Sequence, residues 1–293
     1  MNRQQADYRV VPYPKYRRWM VAAFRSTHHK TVIHGLFEAD VTTARALLRD
    51  HKAKTGESLS FTAFLVACLA RAIDENKGVQ AIRQGGKHLV VFDDVDVLTY
   101  IERDVAGQKY VVPHVLRAAH RKTVRELHDE IRAAQSMDAG DLMKRFLPMR
   151  LPAALFRPFV WIWGWVGRRR PRVWKNIVGT VEISSVGMFG SGAGWGISPP
   201  SATSLMVTVG GIGEKQVSVD GQTATREYLS LTISVDHEIV DGAPTARFVR
   251  RLKELIESGY GLNGLGSVTA TVEAEPARAF GASKKSQQQV ATT

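Results

Sequence analysis

Hydrophobic and polar positions alternate with two periods along this chain, close to 3.6 in some stretches and 2 in others, and their order predicts a mixed α/β fold. Val32 to Ala39 reads as a strand. Asp40-Val41-Thr42 then starts an amphipathic helix that runs through Leu47 and Leu48 toward His51 and breaks at Gly56. Ser60 is placed to cap a second helix, in which Phe61, Phe64, Leu65, Cys68, Leu69 and Ala72 form a wide apolar face ending near Gly78. So broad a face predicts a central place in the core. Val95 to Ile101 and Lys109 to Val115 read as two strands joined through Asp104 to Gly107, and Thr123 begins a helix with Val124, Leu127 and Ile131 at helical spacing.

From Val178 onward strands dominate. Thr180 to Ser184 alternates polar and apolar, Leu205 to Val209 is a short apolar run, and Val217-Ser218-Val219 turns at Asp220-Gly221. Tyr228 to Val235 alternates again, with Leu229, Leu231, Ile233 and Val235 on one face. A last helix from Ala243 to Glu257 turns Phe248, Val249, Leu252, Leu255 and Ile256 inward and stops at Gly259. Beyond Val268 the chain is mostly Ala, Glu, Ser, Lys and Gln, a composition that predicts disorder.

Phe146 to Trp174 breaks this rhythm and reads as an insertion. Trp161, Trp163, Trp165 and Trp174 are interleaved there with Arg157, Arg168, Arg169, Arg170 and Arg172. Its longest uncharged stretch, Pro158 to Gly167, is far shorter than the roughly 20 apolar residues of a spanning helix. A helical cover over the core or a contact between subunits is the first expectation, and peripheral membrane contact through residues 158–172 the second.

Composition adds limits. A chain of 293 residues, 44% hydrophobic and 23% charged, has the makings of a sizeable globular core. Its formal charge of +12 favours anionic partners. The basic residues, however, are scattered along helices apart from Lys15 to Arg18 and Arg168 to Arg170, and no zinc-finger spacing or RNA-binding signature accompanies them, so neither nucleic acid nor a metal is expected. Cys68 is the single cysteine and lies among Phe64, Leu65 and Leu69, which predicts a buried thiol and excludes an intrachain disulfide. Met1 to Lys15 is polar and lacks the apolar core of a secretory signal; together these point to the cytoplasm.

The candidate chemistry lies at the end of the last alternating strand, in Asp236-His237-Glu238-Ile239-Val240-Asp241-Gly242. A histidine held at a strand end suits a general base. Gly242 permits a tight entry into the last helix, and Pro244 fits its first turn. Spacing alone leaves two readings open: a base with Asp241 orienting a partner, or a core histidine with Asp241 as a helix cap.

The run DHEIVDG resembles the DHxxxDG motif of the dihydrolipoyl acyltransferases of 2-oxo acid dehydrogenase complexes, and is similar to the HHxxxDG motif of chloramphenicol acetyltransferase and of condensation domains. Further matches follow in the same order: GTVEISSVGMFG from Gly179, Ile197 to Pro200, Val209 to Ile212, SVDHEIVDG and the helix ARFVRRLKELIE. Earlier segments from Arg17-Arg18 through Glu38 to Val41, Phe61-Thr62 and Val111 to Pro113 also fit, so the resemblance covers about residues 15 to 260 apart from the insertion.

That resemblance implies a two-layer fold of the chloramphenicol acetyltransferase type, a mixed sheet covered by helices. It implies that the chain moves an acyl group between coenzyme A, as substrate, and a dihydrolipoyl-type thiol. His237 would remove the thiol proton, Ser184 would donate to the oxyanion with Ser185 as the neighbouring alternative, and Asp241 and Gly242 would support the site. Arg17, or else Arg18, would pair with Asp241. Family members are trimers in which the histidine comes from one subunit and the serine from the next, so a homotrimer, open to further assembly, is expected. Two alternatives stay open: an acetyl-coenzyme A-dependent O- or N-acetyltransferase acting on a small molecule, and a non-catalytic trimeric scaffold.

Two departures stand out. The family commonly has arginine directly after the motif histidine, where this chain has Glu238. The sequence also begins directly at the catalytic region, so either a lipoyl group would sit on a separate carrier, with dehydrogenase components as further partners, or the donor would be a different thioester. The glycine-rich run from Gly187 to Gly196 fits neither GxGxxG nor a Walker pattern and reads as a close-packing turn near the substrate channel. The expected organisation is an arm over residues 1–14, a catalytic domain over 15–265 with the Trp/Arg-rich insertion at 141–176, and a disordered tail over 266–293.

Overall fold

A computed structural model of the chain describes residues 21, 24, 25, 27–105, 108–136, 162, 169–185 and 192–263. The arm over residues 1–14, Arg17 and Arg18, most of the insertion and the tail over 266–293 lie outside these.

A six-stranded mixed sheet organises the described residues. Its strands are β1 (Val32–Asp40), β4 (Val97–Val105), β5 (Gln108–Leu116), β6 (Val181–Ser185), β7 (Leu205–Val219) and β8 (Gln222–Asp236), in the spatial order β1-β8-β7-β6-β4-β5. β6 runs parallel to both β4 and β7, and the other pairs are antiparallel. Because side chains alternate between faces, the register sorts the strands' residues into two sets. Ala39, Val97, Val181, Ile183, Leu205, Val207, Leu229, Leu231, Ile233 and Val235 point to one side and are buried in the apolar core. Glu182, Ser184, Thr208, Ser230, Thr232 and Ser234 share the other side.

Helices cover the apolar side. They are α1 (Thr42–Thr55), α2 (Phe61–Asp74), α3 (Val124–Ser136) and α5 (Gly242–Glu257); a short α4 (Pro171–Val178) joins the start of β6. α2 is the central one, with Ala63 to Ala70, Ala72 and Ile73 all buried. The Ser60 hydroxyl accepts from the Ala63 N–H at its start, as a capping serine should. It ends at Asp74, short of Gly78, and residues 77–80 form a separate turn of 3₁₀ helix. Thr123 and Glu126 close a reciprocal capping box at the head of α3. Gly56 ends α1 in the left-handed conformation at φ 75°.

Two features depart from the expected pattern. Leu205 to Val209 and Val217 to Val219 belong to one strand, interrupted by an irregularity between Val209 and Ile212. The apolar signal fades after Ile212 because the β7–β8 hairpin continues past the core, so both of its faces meet water. It turns at Asp220 and Gly221, both with positive φ, as a two-residue loop requires. A two-stranded hairpin of β2 (Ile82–Gln84) and β3 (His88–Val90) lies apart from the main sheet, and strands of three residues are too short to show alternation. The end of the insertion is helical: α4 spans its expected boundary at residue 176. Arg117 donates to the Lys175 and Asn176 carbonyls, and Lys175 pairs with Asp94. Cys68 is buried as expected, and burial pushes its thiol pKa up.

Candidate active site

β8 delivers the motif to the edge of the polar face. Its last residue, Asp236, is buried and acts as the keystone of the turn that follows. Its main-chain N–H donates to the Ser204 carbonyl, and its carbonyl accepts from Ile239 and Val240. Its carboxylate accepts from the Glu238 N–H at 3.2 Å and lies 3.5 Å from the Lys30 ammonium, which also donates to the Thr203 carbonyl. His237 is fixed by its own N–H, which donates to the Thr31 carbonyl at 2.7 Å. The imidazole is therefore carried by rigid backbone while its side chain stays 40% exposed.

Asp241 Oδ1 lies 3.6 Å from His237 Nδ1, close enough for attraction and too long for a hydrogen bond. Asp241 occupies the cap position of α5 without a side-chain cap bond, and its carbonyl accepts from both the N–H and the hydroxyl of Thr245. Its carboxylate is 82% exposed and thus free of any structural duty in the helix. The structure brings His237 and Asp241 together, and Gly242 opens α5 beside them.

Glu238 is accounted for by a partner from elsewhere in the chain. Arg83 Nη1 on β2 lies 2.7 Å from its carboxylate, so the hairpin is tied to the turn that carries His237. The pair is half exposed and contributes little stability. It supplies a guanidinium next to the motif, with its stem on a different strand.

Ser184 sits elsewhere. On β6 it shares the polar face with Glu182, opposite Thr208 of β7, while Ser185 has the parity of the core residues Val181 and Ile183. The segment before β7 crosses this face: the Ser198 and Thr208 hydroxyls lie 2.9 Å apart, and the Ser201 hydroxyl donates to Glu182. Tyr100 donates to the other Glu182 oxygen. Burial pushes the Glu182 carboxyl pKa up, partly offset by these two donors and the Lys30 charge. Sequence reasoning overlooked this clamp because Glu182 occupies a polar position in an alternating strand; only the covering segment buries it.

The register sets the distance between the two candidate catalytic residues. Ser184 aligns with Thr208, and Thr208 with Thr232, so His237 lies five residues further along β8 and two strands across. That is about 17 Å by about 10 Å, or about 20 Å in all, well beyond the reach of the two side chains. Within one chain they do not meet.

The glycine-rich segment behaves as a close-packing element where it is described. Gly194 bridges Gly211, and a Cβ on Gly210 or Gly211 would stand 2.1 or 2.0 Å from the carbonyl oxygens of Gly194 or Gly192. Among the described residues, Glu57, His128 and Asp129 alone cluster like metal ligands. His128 Nδ1 accepts from the Ser60 N–H, which in a neutral ring leaves the proton on Nε2 and no lone pair for an ion. Glu57 is also held by Arg125. The cluster is a polar support between α1, α2 and α3.

Comparison with known proteins adds to this geometry. Residues 176–262, which hold Ser184, His237 and Asp241, match the model of the 2-oxoacid dehydrogenases acyltransferase catalytic domain. Over those residues the chain is similar to that catalytic domain. It is 27% identical over 229 residues to the lipoamide acyltransferase component of the Bacillus subtilis branched-chain alpha-keto acid dehydrogenase complex, across 76% of this chain and 46% of that protein. It is 23% identical to the dihydrolipoyllysine-residue acetyltransferase component of the Rickettsia conorii pyruvate dehydrogenase complex, across 88% and 56%. The chain thus spans about half the length of the curated relatives it matches. A probable dihydrolipoamide acetyltransferase from Listeria monocytogenes superposes with a TM-score of 0.63 at 20% identity, over 87% of this chain and 96% of that one. The truncated catalytic core of the Thermoplasma acidophilum 2-oxoacid dehydrogenase complex superposes with a TM-score of 0.61 at 20% identity, over 86% and 100%. The two-layer arrangement of mixed sheet and helices is the fold of these acyltransferase cores.

Proposed function

We propose that this chain transfers an acyl group between coenzyme A and a dihydrolipoyl-type thiol, with His237 as general base. The observation that supports the reading most is the match over residues 176–262, a segment that includes the His237 turn and the Ser184 strand. His237 takes the proton of the coenzyme A thiol, because the thiolate is the nucleophile and a free thiol with pKa near 8.5 is mostly protonated at neutral pH. The thiolate adds to the thioester carbonyl, and the Ser184 hydroxyl donates to the resulting oxyanion. Collapse of the tetrahedral adduct breaks the bond to the second sulfur, which leaves as a dihydrolipoyl thiolate and receives the proton from the imidazolium. Asp241 Oδ1, 3.6 Å from the ring, is the neighbouring acid of the motif.

The separation of His237 from Ser184 supports a site completed by a second copy, and so a homotrimer with sites between subunits. In an Azotobacter vinelandii dihydrolipoamide acetyltransferase a serine, a histidine and an asparagine four residues beyond that histidine have been investigated for catalytic roles. His237 and Asp241 have the same spacing, with aspartate in the third place. Arg17 is the proposed partner of Asp241. A lipoyl group bearing the acceptor thiol and a cytoplasmic location complete the reading, the latter supported by a single, buried cysteine.

The test is acyl transfer from acetyl-coenzyme A to dihydrolipoamide. The substitution His237→Ala is expected to lower the rate by on the order of a hundredfold or more. Full activity in that variant would sink the reading.

A further inference from the structure

We propose that the outward face of the β2–β3 hairpin is the docking surface for an acidic carrier domain that presents its thiol or thioester to His237. The inference rests on the acyltransferase reading and adds to it the partner and the place where that partner sits. Arg83 and Leu89 are direct cross-strand neighbours, so they share a face. Leu89 and Val91, two residues on, are 53% and 51% exposed, while Ile82 is buried on the opposite side. Among the described residues nothing covers this exposed aliphatic pair. It also abuts the base, since Arg83 holds Glu238 at 2.7 Å, the residue after His237.

Charge identifies the occupant. No acidic residue occurs between Glu75 and Asp93, nor over the described residues 169–181, where Arg169 and Arg170 are exposed. The Gln84 side chain donates to the Arg169 carbonyl, which sets the exposed Arg169-Arg170 segment beside the hairpin and its Lys87 tip. An aliphatic centre with a cationic rim is the anatomy of a protein interface steered by charge. A free nucleotide would leave Leu89 and Val91 unused. Two aliphatic side chains give little apolar area for a membrane anchor.

The experiment uses the full chain with acetyl-coenzyme A and two acceptors, free dihydrolipoamide and the same dithiol borne on an isolated lipoyl domain of net negative charge. Leu89→Asp and Lys87→Glu are expected to lower kcat/KM at least about tenfold for the domain-borne acceptor and to leave the free one unchanged. Equal losses with both acceptors, or no loss, would overturn the proposal. Binding of the isolated domain, followed by NMR, decides the matter independently of turnover. If the wild-type chain turns over neither acceptor, the acyltransferase reading fails, yet domain binding that Leu89→Asp abolishes still sustains the surface. No binding to the wild-type chain overturns it. So does a change in oligomeric mass in Leu89→Asp, which would assign the face to a second copy, or variant-sensitive binding to phosphatidylglycerol vesicles, which would assign it to a lipid surface.

Discussion

At the scale of single residues, the two neighbouring serines of β6 separate cleanly. Ser184 stands on the polar face with Thr208 and Glu182, and Ser185 has the parity of the core residue Ile183. Ser184→Ala is therefore expected to lower kcat by roughly 10²–10³ with little change in KM, the cost of one oxyanion donor. Ser185→Ala should leave kcat within a few fold, and the reverse order in steady-state assays would exchange their roles. Glu182 makes a pH prediction. Its folded pKa is raised, so between its ordinary value near 4.5 and the raised one the folded chain holds the proton more tightly than the unfolded chain. Stability then falls as pH rises through that window, and the loss persists at neutral pH. Glu182→Gln removes this loss, so its stability relative to wild type should improve from pH 4 to pH 7 in urea denaturation; an unchanged difference would contradict it. The motif around His237 was legible because seven consecutive residues carry it. Glu182 was not, because its cover comes from residues 198–204, remote in pattern although near in number.

At the scale of elements, most of the fold could be read from periodicity and caps. Ser60, Gly56 and the Asp220-Gly221 turn each stand where the backbone needs them. What periodicity missed depends on tertiary contact: the three-residue strands β2 and β3, and the single long β7 that reads as two pieces. β7 is interrupted where Gly210 and Gly211 let the 192–194 segment approach backbone to backbone. Gly211→Ala should thus be destabilising by about 1–3 kcal/mol, since the added Cβ meets a main-chain carbonyl that cannot rotate away. Gly86→Ala on the β2–β3 turn, with nothing within 4 Å of the added atom, should stay within about 0.5 kcal/mol. Denaturant midpoints of the two variants, measured side by side, check the contrast.

At the scale of the whole molecule, the residues of the proposed site are divided between two places. His237 and Ser184 lie about 20 Å apart by strand register, and β6 and β8 are locked into one sheet with the His237 turn directly after β8, so no side-chain rotation brings them together. A ring of copies resolves this if the His237 turn of one subunit faces the polar sheet surface of the next. Such a site has a testable genetic consequence. His237→Ala and Ser184→Ala chains are each nearly inactive alone, but in a mixed ring a site that takes its histidine from a Ser184→Ala chain and its serine from a His237→Ala chain is intact. With equal amounts and random assembly that combination arises at about a quarter of the interfaces of a closed cyclic oligomer. Co-expression with two different tags, followed by tandem purification and the acyl-transfer assay, should therefore recover about a third of wild-type activity per chain for a trimer, because the purification removes single-type rings and each mixed trimer has one intact interface of three. Mixing the two proteins after separate assembly should recover none until the rings are dissociated and rejoined. No recovery after co-assembly would place the complete site within one chain, and the register of β6, β7 and β8 would then have to change for the two residues to meet.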